Sequence, residues 1–297
     1  MSIKTTMLAV ISVCLLFTVS HSRAQNDVKI NAIPVSDNIY MLTGQGGNIG
    51  LFLGEDGTFI IDDQFAPLTE KILAAIKSVG GDTPRFLINT HFHGDHTGGN
   101  ENLGNVGTLI VSHDNVRERL VNGSYIKAFG MNAPPANKAA LPVLTFSEDM
   151  HFHINNESVN AVHVPSAHTD GDSIIYFKKA NVVHAGDVFF NGFYPFIDAA
   201  NGGSLRGTIA AVDTILAATD SNSKIIPGHG PLADKNQLQA YRDMLATAYS
   251  RLLKLKNDGV SAEDAVMKKP LADLEAKWGG GIFSGEKWIG ITYPAVF

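Results

Sequence analysis

The sequence predicts an α/β fold in four layers, αββα, with two mixed β-sheets packed face to face and helices outside. Three observations carry this expectation. Strand-like runs follow one another closely from Asn38 with glycine at the turns, each half of the chain passes from strands to helices, and no linker, low-complexity tract or strong repeat parts the halves. With 297 residues, 44% of them apolar, the chain can bury a sizeable core.

The elements follow in order. Runs at 39–42, 48–53 and 58–62 read as a meander. Pro67 then opens a helix in which Leu68, Ile72, Leu73, Ile76 and Val79 share one face, and Gly80-Gly81 ends it. An apolar strand at 86–88 delivers the chain to Thr90 and His91. In the second half, strands at 158–164, 173–177 and 181–184 precede a helix over 205–218 and a strand at 224–226. From Lys235 the chain is helical to Asn257, Ser261 caps a further short helix, Pro270 breaks it, and Trp278 and Trp288 flank a glycine-rich loop.

Residues 1–24 read as a signal peptide: Lys4 supplies the positive end, residues 7–19 an apolar run, and Ser22-Arg23-Ala24 a small-residue cleavage site. The run is short for a bilayer span, so no stable membrane insertion is expected after cleavage. The mature chain then starts near Gln25 as a single domain over 25–297, with a helical C-terminal extension from about 235, in the periplasm or secreted. The only cysteine, Cys14, leaves with the signal, so any metal must be held by nitrogen and oxygen. With 23 Lys plus Arg against 29 Asp plus Glu and no long basic run, nucleic acid is excluded as a partner, and a small molecule is the expected substrate.

The decisive segment runs Thr90-His91-Phe92-His93-Gly94-Asp95-His96-Thr97-Gly98-Gly99, three imidazoles and a carboxylate just past a strand end. These are the ligands zinc accepts when thiolate is absent. Gly94 is expected to let the loop turn tightly, so that the side chains diverge toward two metals. His168, Asp187 in Ala185-Gly186-Asp187 and His229 in Pro227-Gly228-His229-Gly230 stand at later strand ends. Each alone is weak; in this order they complete two coordination shells. Asp62 and Asp172, near strand ends beside the site, are expected to hydrogen-bond the free ring nitrogen of a metal-bound histidine, with turn capping as the alternative. His151 and His153 read as a surface pair on a strand, His113 as a helix start, and His163 and His184 as core groups or supports of the site.

The His91-to-His96 segment, followed by His168, Asp187 and the Pro-Gly-His229-Gly turn, resembles the metallo-β-lactamase superfamily over roughly residues 38–252. The resemblance implies that His91, His93 and His168 bind a first zinc and Asp95, His96 and His229 a second. Asp187 would bridge them, as in glyoxalase II and the lactonases, where cysteine-using lactamases have a Cys. It also implies a hydrolase with two Zn2+ per chain, attacking through hydroxide generated at the metals from a water whose pKa falls from 15.7 toward about 7. Asp95 would be the catalytic group that both ligates and orients that hydroxide.

Substrate choice must come from loops outside the metal shell. The candidates are residues 43–47, residues 122–135 with Tyr125 and Phe129, and residues 189–196, from which Phe190, Phe193 and Tyr194 are read as pocket wall. Phe190 stands where related lactamases have a Lys that binds the substrate carboxylate and where the familiar lactonases have a Tyr. The leading expectation is an exported hydrolase acting on a β-lactam-type cyclic amide. A lactonase or esterase is the alternative, as is iron-dependent oxidation on the same fold.

Overall fold

The computed structural model describes residues 27–296, so the signal-peptide reading of residues 1–24 lies outside the described residues. The chain opens with β1 (Asn31–Pro34), β2 (Ile39–Thr43), β3 (Ile49–Phe52) and β4 (Phe59–Ile61), an antiparallel meander. A 3₁₀ turn with Pro67 leads into α1 (Thr69–Ser78), which returns the chain to β5 (Phe86–Ile88), parallel to β4. Two short helices, α2 (Gly94–Thr97) and α3 (Asn100–Asn105), connect to β6 (Leu109–His113). Next come α4 (Asp114–Asn122), a separate hairpin of β7 (Ser124–Ile126) and β8 (Met131–Ala133), and β9 (Leu144–Phe146). The first sheet has the order β1-β2-β3-β4-β5-β6-β9, antiparallel at one end and parallel at the other. The helices lie in the parallel connections, where a crossover is needed.

The second sheet runs β10 (Asp149–Ile154), β11 (Glu157–His163), β12 (Ser173–Phe177), β13 (Val182–His184) and β14 (Lys224–Ile226). Asn155 and Asn156, with φ of 52° and 56°, make the two-residue turn between β10 and β11, the left-handed pair that a tight hairpin requires. The last pair, β13 and β14, is parallel, and α5 (Leu205–Ala218) is its crossover.

Alternation along the strands sorts the apolar side chains into layers. From β4, Phe59 and Ile61 face the second sheet and meet Phe52, Ile175 and Phe177, whereas Ile60 faces outward with Leu51, Leu87 and the α1 residues Ile72 and Ile76. From β12, Ile174 points the other way, into a core with α5 and the C-terminal helices. The result is helix, sheet, sheet, helix, as the sequence led us to expect.

The C-terminal helices are α6 (Lys235–Asn257), capped by Asp234 and Gln237, α7 (Ala262–Met267), α8 (Glu275–Trp278) and α9 (Gly285–Thr292). Trp288 of α9 is fully buried, donates its indole N–H to the Pro195 carbonyl and stacks on Tyr194, centroids 4.7 Å apart. The C-terminal segment thereby fastens the loop that follows β13. No helix among the described residues is long and apolar enough to cross a membrane.

Candidate metal centre

The sequence-expected donors gather where β5, β13 and β14 end, at the carboxyl edges of parallel strands. His91 and His93 follow β5, Asp95 and His96 lie on α2, Asp187 sits in a 3₁₀ turn after β13, and His229 follows β14. His168 comes from the connection between β11 and β12. His91, His93, His168 and Asp187 form one group and Asp95, His96 and His229 another, the donor atoms of each within 4.8 Å of one another. Asp187 reaches both: one oxygen is 3.1 Å from His96 Nε2, and the other is 3.5 Å from His168 Nε2 and 3.4 Å from His229 Nε2.

Gly94 opens α2 with nothing near the position of an added Cβ, so tight turning at this residue, expected from the sequence, is not what shapes the loop. The required glycines are elsewhere. A Cβ on Gly47 would lie 2.1 Å from the His96 ring, and one on Gly228 would lie 2.0 Å from Asp187 Oδ1.

Hydrogen bonds behind the rings set which nitrogen faces inward. His168 Nδ1 lies 2.8 Å from the Phe196 carbonyl, His93 Nε2 lies 3.0 Å from Asp198, and His96 Nδ1 lies 2.7 Å from Asp62. Each partner only accepts, so each of these nitrogens carries the hydrogen, and in the neutral rings the opposite nitrogen presents a lone pair. Yet His93 Nδ1 and His168 Nε2 are 2.9 Å apart, and His91 Nε2 is buried with no hydrogen-bond partner among the described residues. Lone pairs so converged repel unless a cation lies among them, and an imidazole and carboxylate set without sulfur suits a divalent metal ion. The residues therefore fit a metal centre.

Electrostatics divide the rings: against burial, Asp187 and Asp95 raise His96 well above its ordinary value and His229 to about 9, so positive charge is favoured there, while two other rings are held neutral. Burial and neighbouring His96 hold His91 well below its ordinary value, and burial pushes His168 down to about 4 against the pull of Asp187. Burial alone would raise Asp187, but His96, His229 and His91 hold it well below the usual carboxylate range. Asp95 is likewise lowered to about 2: burial opposes the shift, and His96 and His229 overcome it.

The Asp62 carboxylate contacts the His96 ring, whereas among the described residues the Asp172 carboxylate meets no histidine ring and only its backbone carbonyl does, 2.9 Å from His163 Nδ1. Its carboxylate accepts from the Thr169 N–H and hydroxyl three residues earlier, so it caps the turn after His168; burial pushes it up to about 8 even so. Phe190 is buried with its ring stacked on His229, centroids 5.0 Å apart, and half-buried Phe193 packs against it. Tyr194, expected in the pocket wall, is fully buried under Trp288 in the C-terminal core. His151 and His153 are exposed on β10, His113 caps α4 and stacks on His163, and buried His184 meets the Asn48 carbonyl. Sequence reasoning missed Asp198, the support of His93; an acid ending the aromatic run after Asp187 was the available signal.

A family model described as the metallo-beta-lactamase superfamily matches residues 42–229. A curated relative, "Probable metallo-hydrolase YqgX" of Bacillus subtilis (strain 168), is 28% identical over 186 residues, 59% of this chain and 84% of that protein. Among solved structures, the metallo-beta-lactamase from Pontibacter korlensis aligns with a TM-score of 0.61 at 17% identity, covering 73% of this chain and 99% of that one. DIM-1 metallo-beta-lactamase aligns at 0.60 and 16%, covering 75% and 100%.

Proposed function

Because the chain belongs to the metallo-β-lactamase superfamily, we propose that it is an exported hydrolase, loaded with two zinc ions, that opens the C–N or C–O bond of a cyclic amide, lactone or ester. β-Lactam-type substrates are the first to test. The observation that carries this reading is the convergence of seven His and Asp donors into two groups that share Asp187. His91, His93 and His168 would hold one ion, Asp95, His96 and His229 the other, and Asp187 would reach both. When bound, such ions supply a Lewis acid for the scissile carbonyl and make water acidic enough to attack near neutral pH.

The chain's own side chains do the rest. Asp95 and His229 are the donors open to solvent, 27% and 16% exposed, so substrate approaches across them. Asp95, its carboxylate 3.3 Å from His229, is the group available to accept a hydrogen bond from the attacking water and fix its direction. Asp62, Asp198 and the Phe196 carbonyl hold three rings in one tautomer, and Phe190 shields His229 from behind. An apolar ring at 190 offers nothing to a substrate carboxylate, which supports weak or broad β-lactam turnover over efficient turnover.

The test is one panel of β-lactams, lactones and simple esters with the zinc-loaded mature protein, alongside elemental analysis. We expect turnover of at least one class with close to two zinc ions per chain. An active sample holding iron and no zinc, and consuming oxygen, would replace this reading with oxidation. N-terminal sequencing of exported protein should begin near Gln25.

A further inference from the structure

We propose that Asn201 is a positioning residue that locks the ring of His93 and ties that ligand to the β7–β8 hairpin, an inference that rests on the metal-hydrolase reading above. Asn201 is buried at the end of a short 3₁₀ turn, Ala199–Asn201. Its Oδ1 accepts from Arg119 Nη1 at 2.6 Å, and its Nδ2 donates to Asp198 Oδ2 at 2.7 Å and to the Tyr125 carbonyl at 3.1 Å. A guanidinium only donates and a carboxylate only accepts, so the amide has one orientation. Arg119, on α4, is in turn fixed by both Asp170 oxygens and lies over the Phe92 ring. Asp170 is two residues from His168, and its N–H donates to the Asn201 carbonyl. One carboxamide therefore joins α4, the hairpin and the loop that supports His93.

The oxygen of Asp198 that receives the Asn201 amide is the one that holds His93 Nε2. Take the amide away and that oxygen turns more freely, so the inward lone pair of His93 loses its aim. The hairpin has a second route to the same ring: Phe129 packs on Phe196, centroids 5.0 Å apart, and Phe196 stacks on His93 at 5.6 Å. Tyr125, Phe129 and Met131 are exposed along this hairpin, so whatever presses on it pushes on a metal ligand. Coupling of this kind is reciprocal, and metal at the His93 group must stiffen the hairpin.

The experiment measures stepwise zinc binding by competition with a chromophoric chelator, and amide hydrogen exchange over residues 124–133 with and without zinc. In Asn201→Leu, which keeps a similar volume but neither donates nor accepts, one zinc step should weaken about tenfold to a hundredfold with the other unchanged. Zinc should slow hairpin exchange in the natural chain and not in the variant. Arg119→Lys should act in the same direction and serves if Asn201→Leu does not fold; Arg242→Ala, which breaks a surface pair with Asp213, should match the natural chain. Both steps unchanged, both falling together, or hairpin exchange indifferent to zinc in the natural chain would overturn the proposal. A natural chain that binds no zinc would instead overturn the metal-centre reading and this inference with it.

Discussion

Asp62 has φ of 62°, a left-handed conformation that costs a non-glycine residue about 1 kcal/mol or more. Three hydrogen bonds hold it there: the Thr90 N–H, the Thr90 hydroxyl and His96 Nδ1, each at 2.7 Å. Asp62→Asn should therefore lower affinity for the zinc proposed at His96 by about tenfold to a hundredfold with the fold intact, read by chelator competition and circular dichroism. On the proposed two-zinc reading, Asp187→Asn should release the ion of the Asp95, His96 and His229 group first and cut turnover steeply; two zinc ions and full turnover in that variant would remove Asp187 from its proposed shared role. Gly228→Ala removes no donor, yet its Cβ would displace the Asp187 carboxylate, so elemental analysis should find it short of zinc as well. The seven residues were legible because three imidazoles and a carboxylate crowd into residues 91–96 and His168, Asp187 and His229 follow in order, although each of those three alone is a weak signal. Asp172 takes the turn-capping alternative because Thr169 offers its carboxylate two donors three residues away, and Asp198 and Asn201 were missed because their partners depend on the path of an irregular loop.

At the level of elements, the strands at 173–177 and 224–226 and the helices at 205–218 and 235–257 have the bounds expected from the sequence, because each carries a continuous or periodic apolar set. β1, β6, β7, β8 and β9 escaped notice: β1 and β8 are largely exposed, β7 and β9 have three residues each, and β6, though mostly buried, is too short an apolar run to show a period. The two tryptophans were read only as flanks of a glycine-rich loop, whereas Trp288 is the residue that holds down the loop after Asp187. Trp288→Ala should cost about 3 to 5 kcal/mol in denaturant unfolding. Between β6 and β11, His113 and His163 stack with centroids 3.7 Å apart, near Asp170 and the Asp172 carbonyl. Burial and His113 lower the His163 value, so as pH falls the unfolded chain takes up the proton first. Stability is unaffected by this group above the unfolded value of about 6.5 and declines as pH drops through it toward the folded value. His163→Gln should flatten that part of a plot of unfolding midpoint against pH.

Across the whole molecule, the donors divide between the layers: His91, His93, Asp95 and His96 follow a strand of the first sheet, while His168, Asp187 and His229 belong to the second. Neither sheet holds a complete set, so a metal bound as proposed would link the two sheets and favour the folded chain over the unfolded one. At free zinc one hundred times the dissociation constant, one such site adds about 2.7 kcal/mol, and a chelator should lower the unfolding temperature accordingly. A protease that cuts the opened chain samples the population this linkage controls. Digestion should be fast in chelator and slow in zinc, with a half-life that follows metal supply, so that a cell starved of zinc would lose the protein itself along with its activity.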